Sequence, residues 1–156
     1  MSWTISNRFT YPKSMRSIYN GSRHYDVSGN KYPSVTSVLE KTKPQQDKDA
    51  LLKWKKEIGF KQAALISKQS SERGTTLHQY LESILLNKMN GELLEETNLP
   101  KKMAETIVEN GINNQVSEVY GCEAVLYYDR NYKFAGTADA IVSSSDNKIK
   151  ILDFKQ

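Results

Sequence analysis

The chain of 156 residues carries one cysteine, Cys122, and two histidines, His24 and His78. A lone cysteine excludes an intramolecular disulfide and a Cys-rich zinc centre, and it suits a reducing compartment. Two histidines leave no His-rich zinc site. Long apolar runs are also missing. Nothing approaches the roughly 20 residues that a membrane-spanning helix needs, and the first thirty residues hold no stretch of signal-peptide type. There is no Gly-rich phosphate loop followed by Lys-Ser or Lys-Thr, and no G-x-S-x-G elbow. Internal repeats and low-complexity tracts are absent as well. These gaps predict a soluble, cytoplasmic protein with no membrane partner.

What is present is a mildly basic chain, 22 Lys and Arg against 18 Asp and Glu, with a net charge of +4 and a pI near 9.0. That balance fits an anionic partner such as DNA, and it equally fits an ordinary lysine-rich surface. The length suits one domain with a real core. Residues 1–32 read as an amino-terminal arm and hairpin, and residues 33–156 as the main domain.

Along the chain, Met1 to Ser22 is polar with scattered aromatics and reads as an irregular lead-in. Arg23 to Val27 and Lys31 to Tyr32 flank Ser28-Gly29-Asn30, the pattern of a β-hairpin. Ser34 to Leu39 offers a capped short helix with Val35, Val38 and Leu39 inward, closed by Pro44. Asp47 or Asp49 can cap a helix that ends at Gly59. Its Lys53, Lys55, Lys56 and Lys61 form either a solvated face or a phosphate-contacting one. A further helix from Phe60 is expected to break near Ser70-Ser71, with Gly74 allowing close backbone approach at the next helix start. There Leu77, Leu81, Ile84 and Leu85 form a buried stripe, and His78 and Glu82 project together beside it. Asn90-Gly91 ends that helix, and an acidic loop runs to Leu99. Met103 to Val119 follows helical spacing from Pro100, weakened at Gly111. Gly121 marks the switch to strands, which run from Glu123 to Tyr128, Phe134 to Val142 and Ile149 to Phe154. The fold class is therefore α+β, with amino-terminal helices packed on a short meander sheet.

Acids inside apolar strands are costly without compensation. Alternation puts Ile149, Ile151, Asp153 and Lys155 on one face of the last strand, and Thr137, Asp139 and Ile141 on one face of its neighbour. If the strands pair, Asp139 and Asp153 converge and can hold Mg2+ or Mn2+ between their oxygens. Lys155 would face the same pocket and act on a phosphate oxygen or an attacking water. The competing reading is a solvated Asp-Lys strand end. His78 and Glu82 would approach the same acids, and an imidazole would favour manganese. Cys122 reads as a buried small side chain and not a nucleophile.

Three pieces, R-G-T-T-L-H-Q-Y-L-E at Arg73 to Glu82, G-T-A-D at Gly136 to Asp139 and L-D-F-K at Leu152 to Lys155, together resemble the RecB-like branch of the PD-(D/E)XK nucleases. The likeness is greatest to phage exonucleases and the mitochondrial genome maintenance exonuclease. Ser34 to Leu39 resembles the lead-in of that group. The resemblance implies a restriction-endonuclease-like core and metal-dependent hydrolysis of DNA, in host cytoplasm if the chain is phage-encoded. It implies His78, Asp139, Asp153 and the backbone carbonyl of Phe154 as metal ligands, and Lys155 as the catalytic lysine working with Asp153 and Asp139. Glu82 would be a second-metal ligand or a supporting group, and Glu123 a weaker candidate. Arg73, Thr75 and Thr76 are candidates for DNA contact. Relatives continue past the D-x-K strand with a helix and a further strand. The expectation is thus a core truncated after its third strand, completed by a second polypeptide. Alternatives are a non-catalytic DNA- or protein-binding remnant, and an endonuclease or junction resolvase.

Overall fold

The computed structural model describes residues 3–88 and 98–156. The class is mixed α+β, with four α-helices and two sheets among the described residues. The chain divides into two compact units. One comprises Met1–Tyr11, Glu72–Ala124 and Thr137–Gln156, and the other Pro12–Ser71 and Val125–Gly136. None of these borders falls between residues 32 and 33.

The first unit is built on a sheet in the order β1-β5-β6-β7, with β1 at Thr4–Ile5, β5 at Val116–Tyr128, β6 at Phe134–Ser144 and β7 at Ile149–Leu152. The last three are neighbours in chain order, as the meander reading required. The fourth strand is a correction. Thr4–Ile5 belongs to the expected irregular lead-in, yet it pairs parallel with Glu118 and Val119. Two residues are too short to show alternation, so no periodicity could reveal them. Trp3 fixes this arm by burying its ring in the core and donating its indole N–H to the Leu85 carbonyl at 3.0 Å.

Helix α3, Phe60–Leu85, is continuous over 26 residues. The break expected at Ser70-Ser71 does not occur, and Gly74 lies inside the helix, not at its start. Serine is a tolerable helix residue, and neither proline nor a cap interrupts the run. The stripe is as expected: Leu77, Leu81 and Leu85 are fully buried against Val119, Ala140 and Val142 of the sheet. Such burial stabilises by about 1.5–3 kcal/mol per side chain. The helix ends at Asn87, whose φ of +52 allows Asn87 N–H to reach the Ile84 carbonyl and Lys88 N–H the Ser83 carbonyl. That pair of bonds is a Schellman ending with Asn in the left-handed position. The stop expected at Asn90-Gly91 and the acidic loop after it lie outside the described residues.

Helix α4, Leu99–Ile107, is capped by the Asn98 side chain, which accepts from Lys101 N–H, and runs into a π-turn at Val108–Ile112. The helical spacing expected through Val119 fails beyond Ile112. Val116 and Val119 are buried on β5 instead. Their i, i+3 spacing suits a helix and would put the two on opposite faces of a regular strand, but the wide π-turn around Gly111 ends the helix before them. Gly121 therefore sits within β5, where the Tyr11 ring covers it and a Cβ would lie 2.7 Å from Cε2.

In the second unit, β2 (Ser14–Tyr19), β3 (Ser22–Val27) and β4 (Asn30–Pro33) form an antiparallel sheet in chain order. The β3–β4 hairpin matches the reading from Ser28-Gly29, both at positive φ. Strand β2 corrects it a second time, since the lead-in was expected to be irregular. Its turn is Asn20-Gly21, also both at positive φ, the residue pair most suited to a type I′ turn. Ser34 caps α1, Val35–Thr42, and α2 follows at Gln45–Ile58, ending at Gly59 with φ +88. Neither helix has a buried residue. Val35, Val38 and Leu39, expected inward, are exposed. Pro44, not Asp47 or Asp49, stands at the start of α2, and no side chain caps it.

Candidate metal centre

All the residues of interest here belong to the first unit. Asp139 comes from the middle of β6, where Ala140 pairs with Leu152 and Ile141 with Ile151 of antiparallel β7. Asp139 precedes Ala140 and Asp153 follows Leu152, so the two acids flank the last residue pair of this ladder. The ladder stops at Leu152 because the Phe154 N–H turns to Asp139 Oδ2, donating at 2.7 Å. The carboxylate thus ends the strand that carries the D-x-K residues.

His78 reaches this carboxylate from α3. Its Nδ1 lies 3.5 Å from Asp139 Oδ1 and 3.5 Å from Glu123 Oε1. The three side chains present donor atoms that all lie within 4.8 Å of one another. Two ligands about 2.1 Å from one ion sit about 3–4 Å apart, so the spacing fits a shared small cation. The opposite ring nitrogen, Nε2, faces the Phe154 carbonyl at 3.3 Å. Both nitrogens of one imidazole therefore face oxygen. A neutral ring has a single N–H, and with that N–H on Nε2 towards the Phe154 carbonyl, Nδ1 offers a lone pair to a cation. The Nδ1 side, with two carboxylates, is where a cation fits.

Glu123, the weakest of the sequence candidates, is one of the three converging groups. It lies within β5, not at its start, and holds φ +48. A non-glycine residue in that region costs on the order of 1–3 kcal/mol, and such residues concentrate at functional sites. Sequence could have pointed to it only through the resemblance.

Asp153 and Lys155 stand apart. Among the described residues Asp153 is not in the three-donor group, and its side chain is 65 % exposed. Its oxygens take the Lys155 ammonium at 2.8 and 3.0 Å. Hydrogen bonding to Asp153 raises the Lys155 pKa, so the lysine stays cationic at neutral pH. Glu82 is half-buried and outside the group. Its charge is felt at Cys122, where burial first, then Glu82 and Glu123, push the thiol up to about 12. Cys122 is partly buried and packs against the core, less enclosed than the sequence reading expected. Arg73 donates its Nε–H to the Gln156 side chain at 2.8 Å, and Thr76 bonds back to the Glu72 carbonyl. Thr75 is exposed. Gln156 is the one addition here that sequence did not single out.

No protein-family model, curated protein or solved structure matches this chain.

Proposed function

We propose that the chain is a metal-dependent deoxyribonuclease with a restriction-endonuclease-like core, acting on DNA ends. The observation that carries this reading is the convergence of His78, Glu123 and Asp139 from a helix and two strands, beside the strand end bearing Asp153 and Lys155. The donor set is one nitrogen and two carboxylates, which suits Mn2+ or Mg2+. When bound, the ion would supply charge neutralisation at a phosphate and an activated water. His78, Glu123 and Asp139 would hold it. Asp153 would join once the Asp153–Lys155 pair opens, whereas the Phe154 carbonyl lies against His78 Nε2, on the other side of the ring from the proposed cation. Lys155, kept charged by that pair, suits stabilisation of negative charge on a phosphate oxygen better than proton removal. Glu82 would support the site from the same helix face as His78.

A second reading has its own observation. Asp153 and Lys155 bond each other, not the three-donor group. A protein in which that pair never opened would bind DNA without cutting it. Incubation with linear and closed-circular DNA, with Mn2+ or with chelator, decides between them. Metal-dependent loss of linear DNA alone supports the exonuclease, and cutting of circles supports an endonuclease. Binding without cleavage in every metal supports the remnant.

A further inference from the structure

We propose that the turn joining β5 and β6, residues 129–133, with the strand ends beside it, is a stacking platform for single-stranded DNA. The segment reads Tyr128-Asp129-Arg130-Asn131-Tyr132-Lys133-Phe134, where a tight connection would ordinarily use small polar residues. Tyr128 and Phe134 stack ring on ring, centroids 5.4 Å apart and planes 26° off parallel, and both rings remain partly open to solvent. Tyr132 between them is 77 % exposed. Tyr132 faces water and contributes little to the fold, Tyr128 and Phe134 each keep part of a ring exposed, and every base offers a face to stack on such rings.

Charge points to the same occupant. Arg130 and Lys133 are exposed, and neither forms an ion pair among the described residues. The one acid of the turn, Asp129, is engaged by the Tyr32 hydroxyl, whose pKa is raised by burial and then by Asp129. The wider sequence is polarised in the same sense. The unit containing this turn holds 14 Lys and Arg against 6 Asp and Glu, while the unit containing the candidate metal centre holds 8 against 12. Exposed rings interleaved with free cations on a basic unit match a flexible polyanion with accessible bases. A duplex hides its base faces and could use only the cations.

The choice of DNA rests on the nuclease reading, but binding in chelator needs no catalysis, so the two can fail separately. The test is fluorescence anisotropy in EDTA with a labelled oligothymidylate of about 15 nucleotides and a duplex of equal length. The single strand is expected to bind, and more tightly than the duplex. Tyr132→Ala should weaken it about tenfold, and Tyr132→Phe should restore it. Arg130→Gln with Lys133→Gln should reduce the salt slope by about 1.4, at ~0.7 per lost phosphate contact on a single strand. Tyr132 is largely in solvent, so circular dichroism should confirm an unchanged fold. Absence of binding, equal affinity for the duplex, or binding indifferent to Tyr132→Ala would each overturn the proposal.

Discussion

The backbone N–H of Phe154 donates to Asp139 Oδ2 while the Phe154 carbonyl faces His78 Nε2. One peptide segment is therefore clamped between two of the three side chains proposed to hold a metal, and site geometry and strand termination depend on the same carboxylate.

Asp139 consequently has two separable roles. Asp139→Asn keeps an oxygen to accept from Phe154, now without the charge, and should cost less than about 1 kcal/mol. Asp139→Ala removes the acceptor and should cost about 1–2 kcal/mol, since charge-assisted bonds contribute more than neutral ones. Paired thermal melts would read the difference. Equal melting of the two variants would contradict it.

Glycine positions should differ in sign. At Gly74 a Cβ would meet only the amide end of the Gln156 side chain, which can swing away. Gly74→Ala should therefore stabilise the helix by up to about 1 kcal/mol. Gly121→Ala would drive into the Tyr11 ring, whose hydroxyl donates to the Tyr120 carbonyl. It should destabilise by about 1–3 kcal/mol. Urea midpoints for the two variants settle the order.

The Cys122 thiol is pushed up to about 12 by burial and by Glu82 and Glu123, against an ordinary value of 9.0. Its folded pKa is raised, so the protonated thiol favours the native state. That contribution is complete below pH 9 and is lost as pH rises towards 12, because the unfolded chain ionises first. Stability should fall over that window, and Cys122→Ala should flatten the fall. A thiol reagent at pH 8 should label the native protein slowly and the denatured protein fast.

Leu81 is fully buried between α3 and the sheet. Leu81→Ala should cost about 2–5 kcal/mol, whereas Leu39→Ala, on the exposed face of α1, should cost under about 1 kcal/mol. The pair is readable by denaturant unfolding.

Much of this was legible because local chemistry agreed with tertiary packing. The Leu77-Leu81-Leu85 stripe, the Ser28-Gly29 turn and the Ser34 cap are signals whose cause lies within a few residues. The strand pairing on which the Asp139 and Asp153 reading depended occurs, with Ala140 beside Leu152 and Ile141 beside Ile151. What failed depended on partners remote in sequence. Thr4–Ile5 is a strand only because β5 lies beside it, and Val116 and Val119 are strand residues because β1 and β6 flank them. Asn20-Gly21 is different, since its turn chemistry was present in the sequence and called for a hairpin. Glu123 was opaque for a physical reason, its left-handed backbone being set by tertiary structure. The Asp153–Lys155 pair shows the limit of register arguments, which place Cα atoms opposite each other but do not direct side chains.

The central claim is that His78, Glu123 and Asp139 share a divalent cation. Titration of the metal-free protein with Mn2+, followed by the loss of the free-ion paramagnetic signal, tests it without any need for turnover. The wild type should take up Mn2+, and His78→Ala, Glu123→Gln and Asp139→Asn should each weaken uptake at least about tenfold. Uptake unchanged in all three variants, or none in the folded wild type, would contradict the assignment.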